Sequence, residues 1–150
     1  VVITLDDQGA RTVSGRRMAD INIEHLTALM LIDGDITFES SHDAKRVRDP
    51  AILKLRKSIE LKGSAALGKT KTTQAVVEIV TRKGERLQYH TRAVRGSATN
   101  PMTREDVAAK ARGLLAPTLG AHRARQLIGA IWNIERMPDL RQLHALLRPK

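Results

Sequence analysis

The stretch QAVVEIVTRKGERLQYHTRAV, residues 74–94, alternates with period two on either side of a central KGE. In the first arm Ala75, Val77, Ile79 and Thr81 share one face, and Gln74, Glu78 and Arg82 the other. In the second arm Leu87, Tyr89, Thr91 and Ala93 stand opposite Arg86, Gln88, His90 and Arg92. Successive side chains of an extended strand point to opposite faces, and β-branched residues favour that backbone. Two such arms around a short turn predict an antiparallel hairpin.

The hairpin decides how the preceding segment is read. GSAALGKT, residues 63–70, satisfies the phosphate-loop pattern G-x-x-x-x-G-K-[ST] through Gly63, Gly68, Lys69 and Thr70. That pattern holds a nucleotide only where a helix begins directly after it, because the free N–H groups of the helix start cradle the phosphates. A short strand at SIEL, residues 58–61, suits the upstream side. Downstream stands a strand instead of a helix, and the apolar run LMLID at 29–33 precedes the loop and fits a helix better. Residues 62–73 are therefore read as a flexible loop before the hairpin, a chance match to the motif, and no nucleotide cofactor is expected.

Further out, VVITLDD at the start reads as a strand running into a polar turn, and QGARTVSGRR as a loop. Asp20 or Asn22 offers an N-cap, IEHLTALMLID follows, and Gly34 stops it. This predicts a helix from about 22 to 33, and its nearly all-round apolar positions predict burial on several sides. ITFESSHDAKRVRD reads as a connector. Asp49 and Pro50 are the preferred cap and first-turn residues of a second helix carrying Ile52, Leu53 and Leu55. Thr103 and Asp106 form a capping box that opens a third helix through Val107, Ala111 and Leu114. A fourth, about 121–134, sets Leu127, Ile128, Ile131 and Ile134 on one stripe, and a last one from Pro138 to Leu147 is expected to bury Leu140, Leu143 and Leu147. Helices covering a small, mainly antiparallel sheet predict a two-layer α+β fold, one domain over residues 1–150.

Composition narrows the function classes. No apolar run approaches the length a membrane span needs, and no cationic leader with an apolar stretch and cleavage site is present, so neither a membrane nor secretion is expected. The first residue is Val, which leads us to expect a trimmed, processed or partial chain. The absence of Cys excludes disulfides, thiolate metal sites and Cys nucleophiles, and suits a cytoplasmic location. His25, His42, His90, His122 and His144 form no i, i+4 pair, so no metal site is expected.

The formal charge of +10 raises nucleic acid as a partner. Residues 1–50 carry 6 Lys/Arg against 9 Asp/Glu, residues 51–100 carry 11 against 3, and residues 101–150 carry 9 against 4, so the excess is spread and builds no basic arm. Phe38, Tyr89 and Trp132 are too few aromatics for a surface that stacks successive bases. A phosphate-backbone-binding module stays as one alternative and a non-catalytic homo-oligomeric module as another. The preferred reading is a basic wall facing a small anion.

The order of segments carries more information than any one motif. RMADINIEHLTALMLIDGDITFESSHDAKRVRDPAILKLRKSIEL, a strand pair around KGE, RGSATNPMTREDVAAKA, and a terminal run ending LRQLHALLRP together resemble the C-terminal domain of the MmgE/PrpD family. The likeness covers nearly the whole chain from about Arg17. Its most specific pieces are ALMLIDG with the following ITF, RDPAILKLRKSIEL, and NPMTREDVAAK. Ala111 departs from the pattern, standing where many relatives carry Phe.

The resemblance implies a metal-independent, cofactor-free lyase or isomerase acting on a small di- or tricarboxylate. The family includes 2-methylcitrate dehydratase, cis-aconitate decarboxylase and iminodisuccinate epimerase. It also implies that a large helical N-terminal domain, absent here, carries much of the acid/base machinery, that this chain is the lid, and that the parent is a homodimer. Alignment on DINIEHLTALMLIDG places His25 where cis-aconitate decarboxylase has an active-site Tyr. Proton exchange next to a carboxylate passes through an enolate-like state and needs a positioned acid or base, a task that suits His near neutrality. His25 is thus the candidate catalytic residue, with a structural histidine on a buried helix as the alternative.

SSHD at 40–43 is read as a polar loop, since neighbouring residues do not normally converge as a hydrolytic triad. His42 nevertheless lies in a segment that matches relatives and is kept as a substrate-binding candidate. Arg95 and Gly96, with Asn100 and Pro101, predict a compact turn in which Arg95 could fork onto a substrate carboxylate and Gly96 supply an unusual backbone angle. The alternative for Arg95 is a solvated loop cation. Lys110 is read as a surface or interface charge.

Overall fold

The structure, a computed structural model, describes residues 1–148 and falls into two compact units, Val1–Asn100 and a second beginning at Pro101. Pro149, the end of the LRQLHALLRP run, and Lys150 lie outside the described residues.

The first unit is built on a four-stranded sheet in the order β2-β1-β3-β4, with β1 at Val2–Leu5, β2 at Glu60–Gly63, β3 at Ala75–Val80 and β4 at Arg86–Thr91. β1 runs parallel to β2 and antiparallel to β3, and β3 and β4 form the expected antiparallel hairpin. One row of paired residues, Leu61, Ile3, Val77 and Tyr89, crosses the sheet on a single face. Against this face pack α2 (Ile23–Asp33) and α5 (Pro50–Arg56), whose Ala28, Leu29 and Ile52 close over Ile3 and Ile59. This is the expected two-layer α+β arrangement.

Local chemistry explains where these helices start. Asn22 Oδ1 accepts the N–H of His25 at 2.8 Å to open α2, and Gly34 closes it. Asp49 Oδ1 accepts the N–H of Ala51 at 2.8 Å to open α5, with Pro50 in the first turn where no N–H is required.

Several expectations are corrected. QGARTVSGRR is not a loop throughout: Asp7–Val13 is a helix, α1, opened by Asp6 Oδ1 accepting Gly9 N–H at 2.8 Å and packed against β2. The 36–49 connector contains two short helices, α3 (Phe38–His42) and α4 (Ala44–Val47), opened by a Thr37–Ser40 capping box and by Asp43. The 62–73 loop holds the end of β2 and one helical turn, α6 (Ala65–Gly68). α2 is not buried all round, because Met30, Leu31 and Ile32 are exposed on its outer side. Helical cover also ends before β4: Leu87 and Tyr89 share the core face, yet Tyr89 is 73 % exposed.

The second unit pairs α7 (Arg104–Leu119) with α8 (Ala121–Trp132), followed by a short 3₁₀ turn and by α9 (Gln142–Leu147). The Thr103–Asp106 capping box opens α7 as expected. Gly120 makes the corner between the two helices at φ 80° and ψ 149°, a backbone region open essentially to glycine alone. Ala108, Leu119, Ala124 and Leu127 are buried here. α9 is shorter than expected, and Leu140 and Leu147 are exposed instead of buried, since a single-turn-and-a-half helix covers too little surface to enclose them.

Candidate functional site

The first turn of α2 holds the candidate catalytic residue, His25. Asn22 is fully buried and spends both ends of its amide on main chain: Oδ1 caps the helix, and Nδ2 donates to the Arg16 carbonyl at 2.7 Å. This fixes the turn that holds His25. The His25 ring is 1 % exposed, and neither Nδ1 nor Nε2 has a hydrogen-bond partner among the described residues. Burial, and after it the positive charges of Arg56 and Arg46, push its pKa below the ordinary histidine value. The ring is therefore a neutral imidazole at neutral pH, with one lone pair and one N–H uncommitted.

The two cations that act on His25 differ. Arg46 is held by the carboxylates of Asp33, in the last turn of α2, and Asp49, the cap of α5, so it ties those helix ends together. Arg56 is half-buried in the last turn of α5, and its guanidinium has no hydrogen bond or ion pair with any described residue. It lines a solvent-open cleft of about 540 Å³ with Glu24, Leu53, Lys57 and Ile59. Glu24 faces the 14–15 turn as well, where it receives Gly15 N–H at 3.3 Å and the Ser14 hydroxyl at 3.4 Å. The sequence reading passed over Arg56. Its one signal was a last-turn cation with no acidic residue three or four positions before it.

His42 sits on α3. Its ring stacks on Phe38 with centroids 4.1 Å apart, and Nδ1 lies 2.8 Å from the Phe38 carbonyl and 3.0 Å from Ser41 Oγ. A carbonyl only accepts, so the proton resides on Nδ1, and that nitrogen cannot take a proton from Ser41. Nε2 points to Asp20 Oδ2 at 3.6 Å. Ser41, His42 and Asp20 thus do approach one another, but in a tautomer that does not serve a hydrolytic triad. The 3₁₀ turn at Ala19–Ile21 touches both α2 and α3, which brings α3, the helix of His42, into the neighbourhood of α2.

Arg95 is exposed in a turn closed by Gly96 N–H to the Asn100 carbonyl at 2.7 Å and by Asn100 Nδ2 to the Ala93 carbonyl at 3.1 Å. Gly96 has φ 91°, the unusual angle expected of it. Lys110 is an exposed side chain on α7.

The phosphate-loop match lacks its helix. Lys69 and Thr70 follow α6, and β3 comes next. Thr70 Oγ1 lies 2.8 Å from the Leu67 carbonyl and 2.7 Å from that of Thr72, so its hydroxyl is turned onto main chain. Asp7 stands against Gly63, where a Cβ would collide with its carboxylate, and Asp6 stands beside Gly68. Two carboxylates at the would-be cradle oppose a phosphate.

A small, mostly antiparallel sheet backed by two helices, with a buried histidine at the start of one of them and a cleft lined by Arg56 and Lys57, defines an α+β domain. The sequence profile of the MmgE/PrpD C-terminal domain matches residues 2–136, and the chain belongs to that family. The match takes in the opening strand, and ends before the terminal LRQLHALLRP run. No curated protein is similar enough to this chain to be counted a match. Among the described residues no helix is long and apolar enough to cross a membrane.

Proposed function

We propose that this chain is the lid domain of a lyase or isomerase that adds, removes or relocates a proton next to a carboxylate of a small di- or tricarboxylate, in the manner of 2-methylcitrate dehydratase. The observation that carries the reading is a neutral, unpartnered imidazole at position 25 in a chain of this family. An imidazole of this kind can take a proton from carbon or return one without first surrendering a hydrogen bond. The ring is covered in the chain as it stands, so the role requires substrate or a docked helical domain to open a path to one ring nitrogen. Arg95 and His42 stand as substrate-binding candidates.

The helical domain of the family is the proposed partner. Met30, Leu31, Ile32, Ile36 and Phe38 are all exposed within nine consecutive positions, the kind of apolar surface that another protein surface covers. The parent is proposed to act in the cytoplasm, which the absence of Cys suits, and as a homodimer, which the family resemblance implies.

The test is turnover of a panel of 2-methylcitrate, cis-aconitate and iminodisuccinate, measured for the 150-residue chain alone and co-produced with a helical domain of the family. Turnover is expected only from the pair, and His25→Gln is expected to reduce it by roughly 100-fold or more. Substantial turnover by the chain alone, or a His25→Gln pair as active as the parent, would sink the reading.

A further inference from the structure

We propose that the cleft between the start of α2 and the end of α5 is a carboxylate-binding subsite in which Arg56 and Lys57 hold one carboxylate of a short polycarboxylate. The inference rests on the functional reading above and deepens it by naming a seat for the substrate's charge.

Three observations converge on it. Arg56 and Lys57 are adjacent cations lining the cleft, and neither side chain has a hydrogen bond or ion pair with any described residue. A half-buried guanidinium normally finds a planar acceptor, and its fork matches both oxygens of a carboxylate. Leu53 and Ile59 form the apolar part of the lining, which suits a short hydrocarbon backbone and not a purely ionic guest. The volume, about 540 Å³, is that of a small-molecule site.

Glu24 lies in the same lining. With one carboxylate already there, the cleft has two positive charges against one negative, and an anionic guest meets net attraction. Preference for a short polycarboxylate over phosphate then comes from the apolar side chains of Leu53 and Ile59, which a hydrocarbon backbone covers and a phosphate does not. Glu24 can also accept a hydrogen bond from a ligand hydroxyl, at the expense of its long contacts to the 14–15 turn.

The position relative to His25 gives the subsite its consequence. Arg56 is near enough to act electrostatically on the imidazole, so an anion seated on Arg56 offsets that positive charge. Arg46, the other cation acting on His25, is already neutralised by Asp33 and Asp49. Ligand binding therefore makes His25 more basic, which arms it for accepting a proton only when substrate is present.

The experiment is an NMR titration of the isotope-labelled 150-residue chain with tricarballylate, a non-reactive tricarboxylate, and in a second arm with inorganic phosphate. Saturable shifts are expected at Arg56 Hε and at the amides of residues 53–59, together with an upward move of the His25 titration midpoint. Arg56→Gln is expected to weaken tricarballylate binding by about tenfold or more, because a charge-assisted pair is lost, and Arg56→Lys by less. Unchanged binding in Arg56→Gln, shifts confined to other regions, or phosphate bound as tightly as tricarballylate would overturn the subsite. The spectrum of Arg56→Lys, which keeps the charge and helix propensity, guards against a folding defect in the Gln variant. The two readings separate cleanly. Tricarballylate seated on Arg56 in a chain whose assembled parent turns nothing over defeats the enzymatic proposal alone. Turnover unaffected by Arg56→Gln defeats the subsite alone.

Discussion

Asn22 holds His25 by its backbone and leaves its ring unpartnered: the Asn22 Oδ1 to His25 N distance is 2.8 Å, while both imidazole nitrogens lack a hydrogen bond. One side chain is fully satisfied and the next buried one, three residues on, is not. Buried polar atoms are nearly always paired, and an unpaired one costs about 1–3 kcal/mol. That contrast between a fixed main chain and a stranded ring is what the proposed role of His25 rests on.

Removing the cap should therefore cost stability. Asn22→Ala loses the helix cap and strands the Arg16 carbonyl, an expected loss of about 2 kcal/mol and a melting temperature lower by roughly 8 °C. Asn22→Ser, which keeps a capping oxygen, should recover part of it. Thermal unfolding followed by circular dichroism checks both.

His25→Phe should cost less. The larger apolar ring leaves no unsatisfied nitrogen, and that relief offsets the overpacking of a sealed site, so the chain is expected to stay within about 1 kcal/mol of the parent, with proton transfer lost in the assembled enzyme. A strongly destabilised variant would show that the imidazole makes structural contacts that outweigh its stranded nitrogens.

The same residue predicts a pH dependence. The His25 pKa is lowered on folding, so the unfolded chain binds the proton more readily than the native one. Its contribution is then fully present above the unfolded value near 6.5 and is lost as pH falls below it toward the folded value, with a slope of at most about 1.4 kcal/mol per pH unit. Denaturant midpoints measured between pH 7.5 and 5 should fall in the parent chain. The fall should be smaller in His25→Phe.

Arg46 links the end of α2 to the start of α5 through Asp33 and Asp49. Arg46→Ala is expected to lower the melting temperature by less than Asn22→Ala, and the difference from the parent should shrink in molar salt, which screens exposed ion pairs. An effect independent of salt would assign Arg46 a packing role.

ATP with Mg²⁺ should not stabilise the chain, because Asp6 and Asp7 stand where phosphates would lie and no helix follows Thr70. Thermal shift of the parent and of Lys69→Ala should be alike and flat. A nucleotide-dependent rise abolished in Lys69→Ala would restore the phosphate-loop reading.

Much of this protein was legible locally. Strand alternation over 74–94 gave the hairpin, Asn22 and Gly34 bracketed α2, Asp49–Pro50 opened α5, and Thr103 with Asp106 opened α7, because each signal depends only on residues within one turn or one pleat of each other. α1 was missed for the complementary reason. QGARTV contains a helix-weakening Gly and little apolar surface, and the segment is helical because Asp6 caps it and β2 packs against it.

What the chain could not disclose on its own was every pairing between distant segments. The parallel contact of β1 with β2 joins residues 2–5 to 60–63, and no periodicity encodes a partner nearly sixty positions away. The exposure of Tyr89, on the same face as buried Ile3, depends on how far α2 and α5 reach across the sheet. Resemblance singled out His25 from residue type and position. That its ring is sealed, neutral and within the field of Arg56 follows only from the convergence of α2, α4 and α5, since desolvation and Coulomb interaction depend on distance through space and not along the chain.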